Sequence, residues 1–217
     1  MKQGLFLAVL ILFILSFSIC NGQDSLSVSY LNDSTAPKPL FGLKLGMNVE
    51  TITSSDWVKA NNLGVTGGFF AGFHKNKFGV RAEILVSTTS YKSTIKIDSG
   101  GNVGDFNVVY FNVPLLFEYN ITSWLSIQVG PQYNNLVSIT KNAAFNSDPK
   151  VLFTPGGFSG AIGLEGKLPH NVIAGARYIY GFSNLNNYKA ISTVNNVLSS
   201  QDWHTRSLQI YLGYSIR

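Results

Sequence analysis

Charge is the first thing in short supply. Only 12% of the 217 residues are charged, against 45% hydrophobic, whereas soluble domains carry about 25% charged residues. Such a chain lacks the polar surface that an ordinary water-exposed domain needs. Cysteine is nearly missing as well: Cys20 is the single one, in a leader segment expected to be removed, so disulfides, zinc-thiolate sites and cysteine nucleophiles are excluded from the mature chain. Long apolar runs are absent after residue 19, because Lys, Arg, Glu, Asn or Gly interrupts each one before it reaches the roughly 20 residues of a transmembrane helix. A chain of this kind can sit in a bilayer only as strands.

The leader itself is legible. Lys2, an apolar run from Leu5 to Ile19, and Cys20-Asn21-Gly22 form the n-region, h-region and cleavage site of a secretory signal, with the cut after Gly22. A lipid-anchored start at Cys20 would call for a small residue where Ile19 stands. Residues 23–38, a tract without period, read as a flexible periplasmic lead-in.

From residue 39 onward, eight segments alternate with the period of two that marks strands: 41–48, 64–73, 78–86, 108–119, 124–133, 158–166, 172–180 and 207–216. The connections between them alternate too. Short ones fall near 74–77, 120–122 and 167–170; long polar ones span 49–63, 89–105, 136–152 and 182–204. A barrel with turns at one rim and loops at the other sorts its connections this way. The expected fold is therefore all-β: an eight-stranded antiparallel up-and-down transmembrane β-barrel over residues 39–217, with short periplasmic turns and long extracellular loops.

Six charges lie well inside the strands: Lys44, Arg81, Glu83, Glu118, Glu165 and Arg177. Each sits opposite its strand's apolar series, three cations against three anions. A sparse, self-neutral face rich in Gly, Ser, Asn and Gln fits the crowded interior of an eight-stranded barrel, where buried charges must pair. The expectation is a salt-bridged plug toward the periplasmic end, with Arg177 near mid-height and Tyr110, Asn112, Gln128 and Gln209 filling above it. Aromatics sort by end: Phe41, Phe73, Phe78, Phe117, Tyr119, Trp124 and Tyr214 near the short turns, and Tyr133, Tyr178 and Tyr180 near the long loops, as two lipid–water interfaces select.

The formal net charge is +5, but its placement speaks against nucleic acid. In the long loops Lys59, Lys92, Lys96, Lys141, Lys150 and Lys189 cancel Glu50, Asp56, Asp98, Asp105, Asp148 and Asp202. The surplus sits at Lys75, Lys77, Lys167 and Arg217, where outer-membrane phospholipid headgroups are the expected partner.

The segments FGLKLGMN, YFNVPLLFEYN, WLSIQVGPQYN, ARYIYGFSNLN and LQIYLGYSIR together resemble the PorT-type outer-membrane β-barrel proteins of Bacteroidota, over about residues 41–217. The strongest pieces are Val113-Pro114-Leu115, Gly130-Pro131, and Arg177-Tyr178 with Gly181. The resemblance implies an integral outer-membrane barrel of OmpA- or OmpX-like size, inserted by the barrel-assembly machinery, and some members resemble parts of protein-secretion machinery. The usual terminal aromatic is replaced here by Ile216-Arg217, with Tyr214 and Ile216 still alternating.

Catalytic chemistry finds little to work with. His74 and His170 fall in short turns, and His204 with Ser207 is the one candidate base and nucleophile; three residues apart on a strand, they point to opposite faces. Gly67-Gly68, Gly100-Gly101 and Gly156-Gly157 lack the context of a phosphate-cradling loop, and no cofactor or metal is expected. The expected function is a non-catalytic barrel whose surface loops serve binding or envelope structure, with Trp57, Tyr91, Phe145, Tyr188 and Trp203 as contact candidates. The alternatives are transport of a small or apolar solute, an accessory role in secretion, and a soluble lipocalin-like barrel with its faces inverted.

Overall fold

In this computed structural model, residues 37–53, 62–92, 105–141, 154–185 and 204–216 are described. They form eight strands: β1 (Lys38–Thr53), β2 (Asn62–Lys75), β3 (Phe78–Lys92), β4 (Asp105–Asn120), β5 (Leu125–Lys141), β6 (Gly156–Lys167), β7 (Val172–Gly181) and β8 (His204–Ile216). Every strand pairs antiparallel with its sequence neighbours, and β1 pairs with β8, from Phe41 against Ile216 to Thr53 against His204. The sheet closes on itself and leaves no edge. No helix among the described residues is long and apolar enough to cross a membrane.

The period of two decides what each face meets. Outward lie Leu43, Leu45, Met47, Phe69, Ile84, Val86, Phe117, Val129, Ile162, Leu164, Ile210 and Leu212, all exposed. A continuous apolar belt of this kind is far larger than water tolerates on a monomer, and hydrocarbon is its natural solvent. Inward lie Lys44, Asn48, Arg81, Glu83, Asn112, Glu118, Gln128, Glu165, Arg177 and Gln209, all buried. The faces are those of a transmembrane barrel, not of a lipocalin-like one.

Aromatic rings flank the belt. At the turn end Phe78 and Tyr119 face each other across β3 and β4 with centroids 5.3 Å apart, and Trp124 and Tyr214 are exposed nearby. At the loop end Tyr133 lies 5.3 Å from Phe158, and Tyr180 lies 5.5 Å from Phe182.

The strands run further toward the loop end than the sequence pattern suggests. The long connections shrink to 54–61, 93–104, 142–155 and 182–203, and the short ones are 76–77, 121–124 and 168–171. The reason is an exchange of faces. Above Val86 on β3 and Val109 on β4, the outward residues become Thr88, Ser90 and Asn107, while apolar Tyr91, Phe106 and Val108 join Ser87 and Thr89 on the inside. Ser90 Oγ bonds Asn107 Oδ1 on the outside. Polar-out and apolar-in is the pattern of a sheet standing in water, so these strands leave the hydrocarbon and continue beyond it.

Besides Pro39 at the start of β1, two prolines, Pro114 and Pro131, sit in mid-strand, where each removes a ladder donor. The β3–β4 ladder skips Val113 and Pro114, and the β4–β5 ladder skips Leu115-Leu116 against Gly130-Pro131. Backbones crowd there: a Cβ on Gly130 would stand 1.9 Å from the Leu115 carbonyl oxygen.

Candidate functional site: a charged plug and the chamber above it

The lumen toward the turn end is filled by one ion-pair network. Arg81 grips Glu165 with both terminal nitrogens, at 2.7 and 2.8 Å, and its Nε lies 2.8 Å from Glu118 Oε1. Arg177 grips Glu83 in the same forked manner, at 2.7 and 2.9 Å. Lys44 Nζ completes that half by donating to Glu83 Oε2 at 3.0 Å. Forked guanidinium–carboxylate pairs are among the strongest charge-assisted hydrogen bonds, and here water is excluded, since all six side chains are 2% exposed or less.

Neutral groups stitch the two halves together. Gln128 donates from Nε2 to Glu118 Oε1 and Glu165 Oε2, at 2.8 and 3.0 Å, while its Oε1 accepts from Arg177 at 2.9 Å. The Tyr211 hydroxyl donates to Glu165 at 3.0 Å, and its ring lies beneath Lys44, 3.6 Å from Nζ to centroid. Phe70 offers its face to Arg81 at 4.6 Å. At the lower rim His74 Nε2 meets Glu118 Oε2 at 2.5 Å.

Several expectations change in detail. Arg81 and Glu83 are neighbours on one face, yet they approach only to 3.9 Å; their short contacts are with Glu165, Glu118, Arg177 and Lys44 on other strands. Gln128 belongs inside the network rather than above it. His74 is not a turn residue but the end of β2, inside the rim, because the turn is only Asn76-Lys77. Glu50 is not a loop acid: it lies on β1 and accepts from the Thr89 hydroxyl at 3.0 Å. Tyr91, expected among the loop contacts, is a buried residue of β3. Trp57, Phe145, Tyr188 and Trp203 lie outside the described residues. Lys167, expected to face headgroups, donates to Asn120 Oδ1 at 2.6 Å, and Arg217 lies outside the described residues.

Above the network lies a chamber of about 50 Å³, lined by Asn48, Glu50, Ser87, Tyr110, Asn112, Gln132, Asn134, Ser159, Ser207 and Gln209 among others. Asn112 donates to Ser87 Oγ at 2.7 Å and Asn134 to Ser159 Oγ at 2.6 Å. Ile52, Tyr91, Phe106, Val108 and Ile139 are buried nearer the loop end. His204 and Ser207 do not act together: His204 Nδ1 lies 3.2 Å from the Gly181 carbonyl oxygen, its ring stacks on Tyr180, and Ser207 faces the chamber.

Known proteins bear on the fold. The chain is similar to Ail, the attachment invasion locus protein of Yersinia pestis, solved with the heparin analogue sucrose octasulfate: 13% identity over 82% of this chain and 99% of that one, TM-score 0.50. It is also similar to Neisserial surface protein A, at 15% identity over 80% and 96%, TM-score 0.49. OprG of Pseudomonas aeruginosa follows at 12% over 85% and 99%, TM-score 0.44. No curated protein matches the chain. At 13% identity the likeness to Ail speaks for architecture alone. The model of the outer membrane protein beta-barrel domain matches residues 32–187, most of the described strands, and the chain belongs to that family.

Proposed function

We propose that this outer-membrane barrel is a closed, non-catalytic scaffold that holds its long loops outward for binding or envelope structure. The observation that carries the reading is the network across the lumen. Six charges pair from β1, β3, β4, β6 and β7, with Gln128 of β5 and Tyr211 of β8 bridging them. A solute crossing the lumen would have to break several buried charge-assisted pairs at once, and each broken pair would leave an uncompensated charge at a cost of about 3–5 kcal/mol.

The remaining parts of the reading rest on the sequence. Residues 1–22 serve as a signal peptide and 23–38 as a periplasmic lead-in, so the short turns face the periplasm. The PorT-type, Bacteroidota-like sequence features suit insertion by the barrel-assembly machinery. Exposed Lys75 and Lys77 sit at the turn rim, where inner-leaflet headgroups lie. Trp57, Phe145, Tyr188 and Trp203 supply the outward contacts.

The test is conductance of the refolded chain in a planar bilayer. A closed scaffold gives no stable steps, and Arg177→Ala combined with Arg81→Ala gives flickering ones. Large, stable steps from the unmodified chain would replace the scaffold reading with transport.

A further inference from the structure

The chamber above the plug has an imbalance that the plug does not share. Asn48 donates from Nδ2 to Thr89 Oγ1 at 3.1 Å, which fixes its Oδ1 as an acceptor, and that oxygen has no hydrogen-bond partner. Gln132 donates from Nε2 to Asn134 Oδ1 at 2.5 Å, and its Oε1 likewise has none. Gln209 Oε1 is a third such oxygen. All three side chains are more than nine-tenths buried, and all three line the same chamber as Glu50. Buried acceptors left without a donor are costly and rare.

Among its described residues the chamber also lacks any cationic side chain. Lys44, Arg81 and Arg177 are engaged with Glu83, Glu118 and Glu165 below, and no Lys, Arg or His is among the described residues lining the chamber. Glu50 accepts from the Thr89 hydroxyl at 3.0 Å, a neutral donor that satisfies a lone pair without supplying positive charge.

We infer that the chamber binds one small hard cation through Glu50 and the amide oxygens of Asn48, Gln132 and Gln209, directly or through water. Oxygen ligands of mixed charge suit calcium or an alkali ion. Among the described residues no group of three His, Cys, Asp or Glu could hold a metal, so a transition-metal or multi-carboxylate cage is not what is built. The chamber volume admits an ion with a water or two. One bound cation would supply both what the three acceptors lack and what Glu50 lacks.

The experiment uses the full barrel refolded in detergent and stripped with chelator. Its heat-unfolding midpoint is read against calcium, magnesium, sodium and potassium chlorides, with choline chloride matching ionic strength. At tenfold excess over the dissociation constant, a bound cation raises the midpoint on the order of 3 °C. The rise should saturate, vanish in Glu50→Gln and shrink in Gln209→Leu. Terbium luminescence excited through tyrosine is a second readout, with Tyr110 lining the site; calcium should quench it, and Glu50→Gln should lack it. A midpoint that follows ionic strength alone, or an equal shift in Glu50→Gln, overturns the assignment and leaves a water-filled chamber. Should Glu50→Gln not fold, an undiminished shift in both Gln209→Leu and Gln132→Leu overturns it equally.

Discussion

At the scale of single residues, who pairs with whom is settled by ring closure rather than by sequence distance. Arg81 and Glu83 share a face on β3, and the sequence shows that face to be the charged one. It does not show that Arg81 turns to Glu165 across the lumen while Glu83 turns to Arg177 and Lys44, because the alternation of one strand says nothing of the strand opposite. A double-mutant cycle exposes the difference. The coupling of Arg81→Ala with Glu165→Ala should fall near the upper end of the roughly 0.5–3 kcal/mol range for residues in one network, and that of Arg81→Ala with Glu83→Ala near the lower end. Equal couplings, measured by denaturant unfolding in lipid vesicles, would mean that the network is a diffuse charge cloud. Removing one partner alone is the harsher change: Arg177→Leu leaves Glu83 with Lys44 and strips a donor from Gln128, and should cost about 3–5 kcal/mol.

At the scale of strands and turns, the alternation was clearest where the hydrocarbon enforces it and failed where it does not. The stretch Ser87-Thr88-Thr89-Ser90 looks like loop by composition, yet β3 runs through it, because strands that leave the bilayer exchange polar-in for polar-out and lose the signature. Glu50 and Tyr91 were hidden for that reason. His74 was hidden by a turn shorter than expected. The turns hold strain that can be relieved: His170 and Asn171 both adopt φ of 61°, a left-handed conformation that costs an ordinary residue about 1–2 kcal/mol. His170→Gly should therefore stabilise the barrel by up to about 1 kcal/mol, seen as a higher unfolding midpoint in detergent. An unchanged or lower midpoint would show that the His170 side chain contributes more than its backbone costs. Gly130→Ala should act the other way, since its Cβ would stand 1.9 Å from the Leu115 carbonyl oxygen and 3.0 Å from the Leu116 Cα, backbone atoms that cannot swing aside as a side chain can.

At the scale of the whole molecule, the solvent that the outer face meets is the claim on which orientation, plug and chamber all depend, and β8 offers a way to measure it. Leu212 and Ile216 point outward from the same strand with nearly equal exposure, 60% and 59%. Leu212 pairs with Leu45 near the middle of the apolar belt, while Ile216 pairs with Phe41 at the turn-end aromatic rim. If water surrounded the barrel, arginine at either position would change stability by about 0.5 kcal/mol or less. In a bilayer the two positions differ by depth: Leu212→Arg should cost about 2–4 kcal/mol, and Ile216→Arg about 0–1 kcal/mol. Unfolding by guanidinium in vesicles reads both, and repeating it in vesicles of shorter acyl chain should shrink the Leu212→Arg cost as the charge comes nearer to headgroups. Equal small costs at the two positions would take the barrel out of the membrane and reopen the assignment of its inner and outer faces. A steep difference would fix the belt's midplane at Leu212 and Leu45, and with it the depth at which Lys44, their neighbour on the inner face, is held by Glu83.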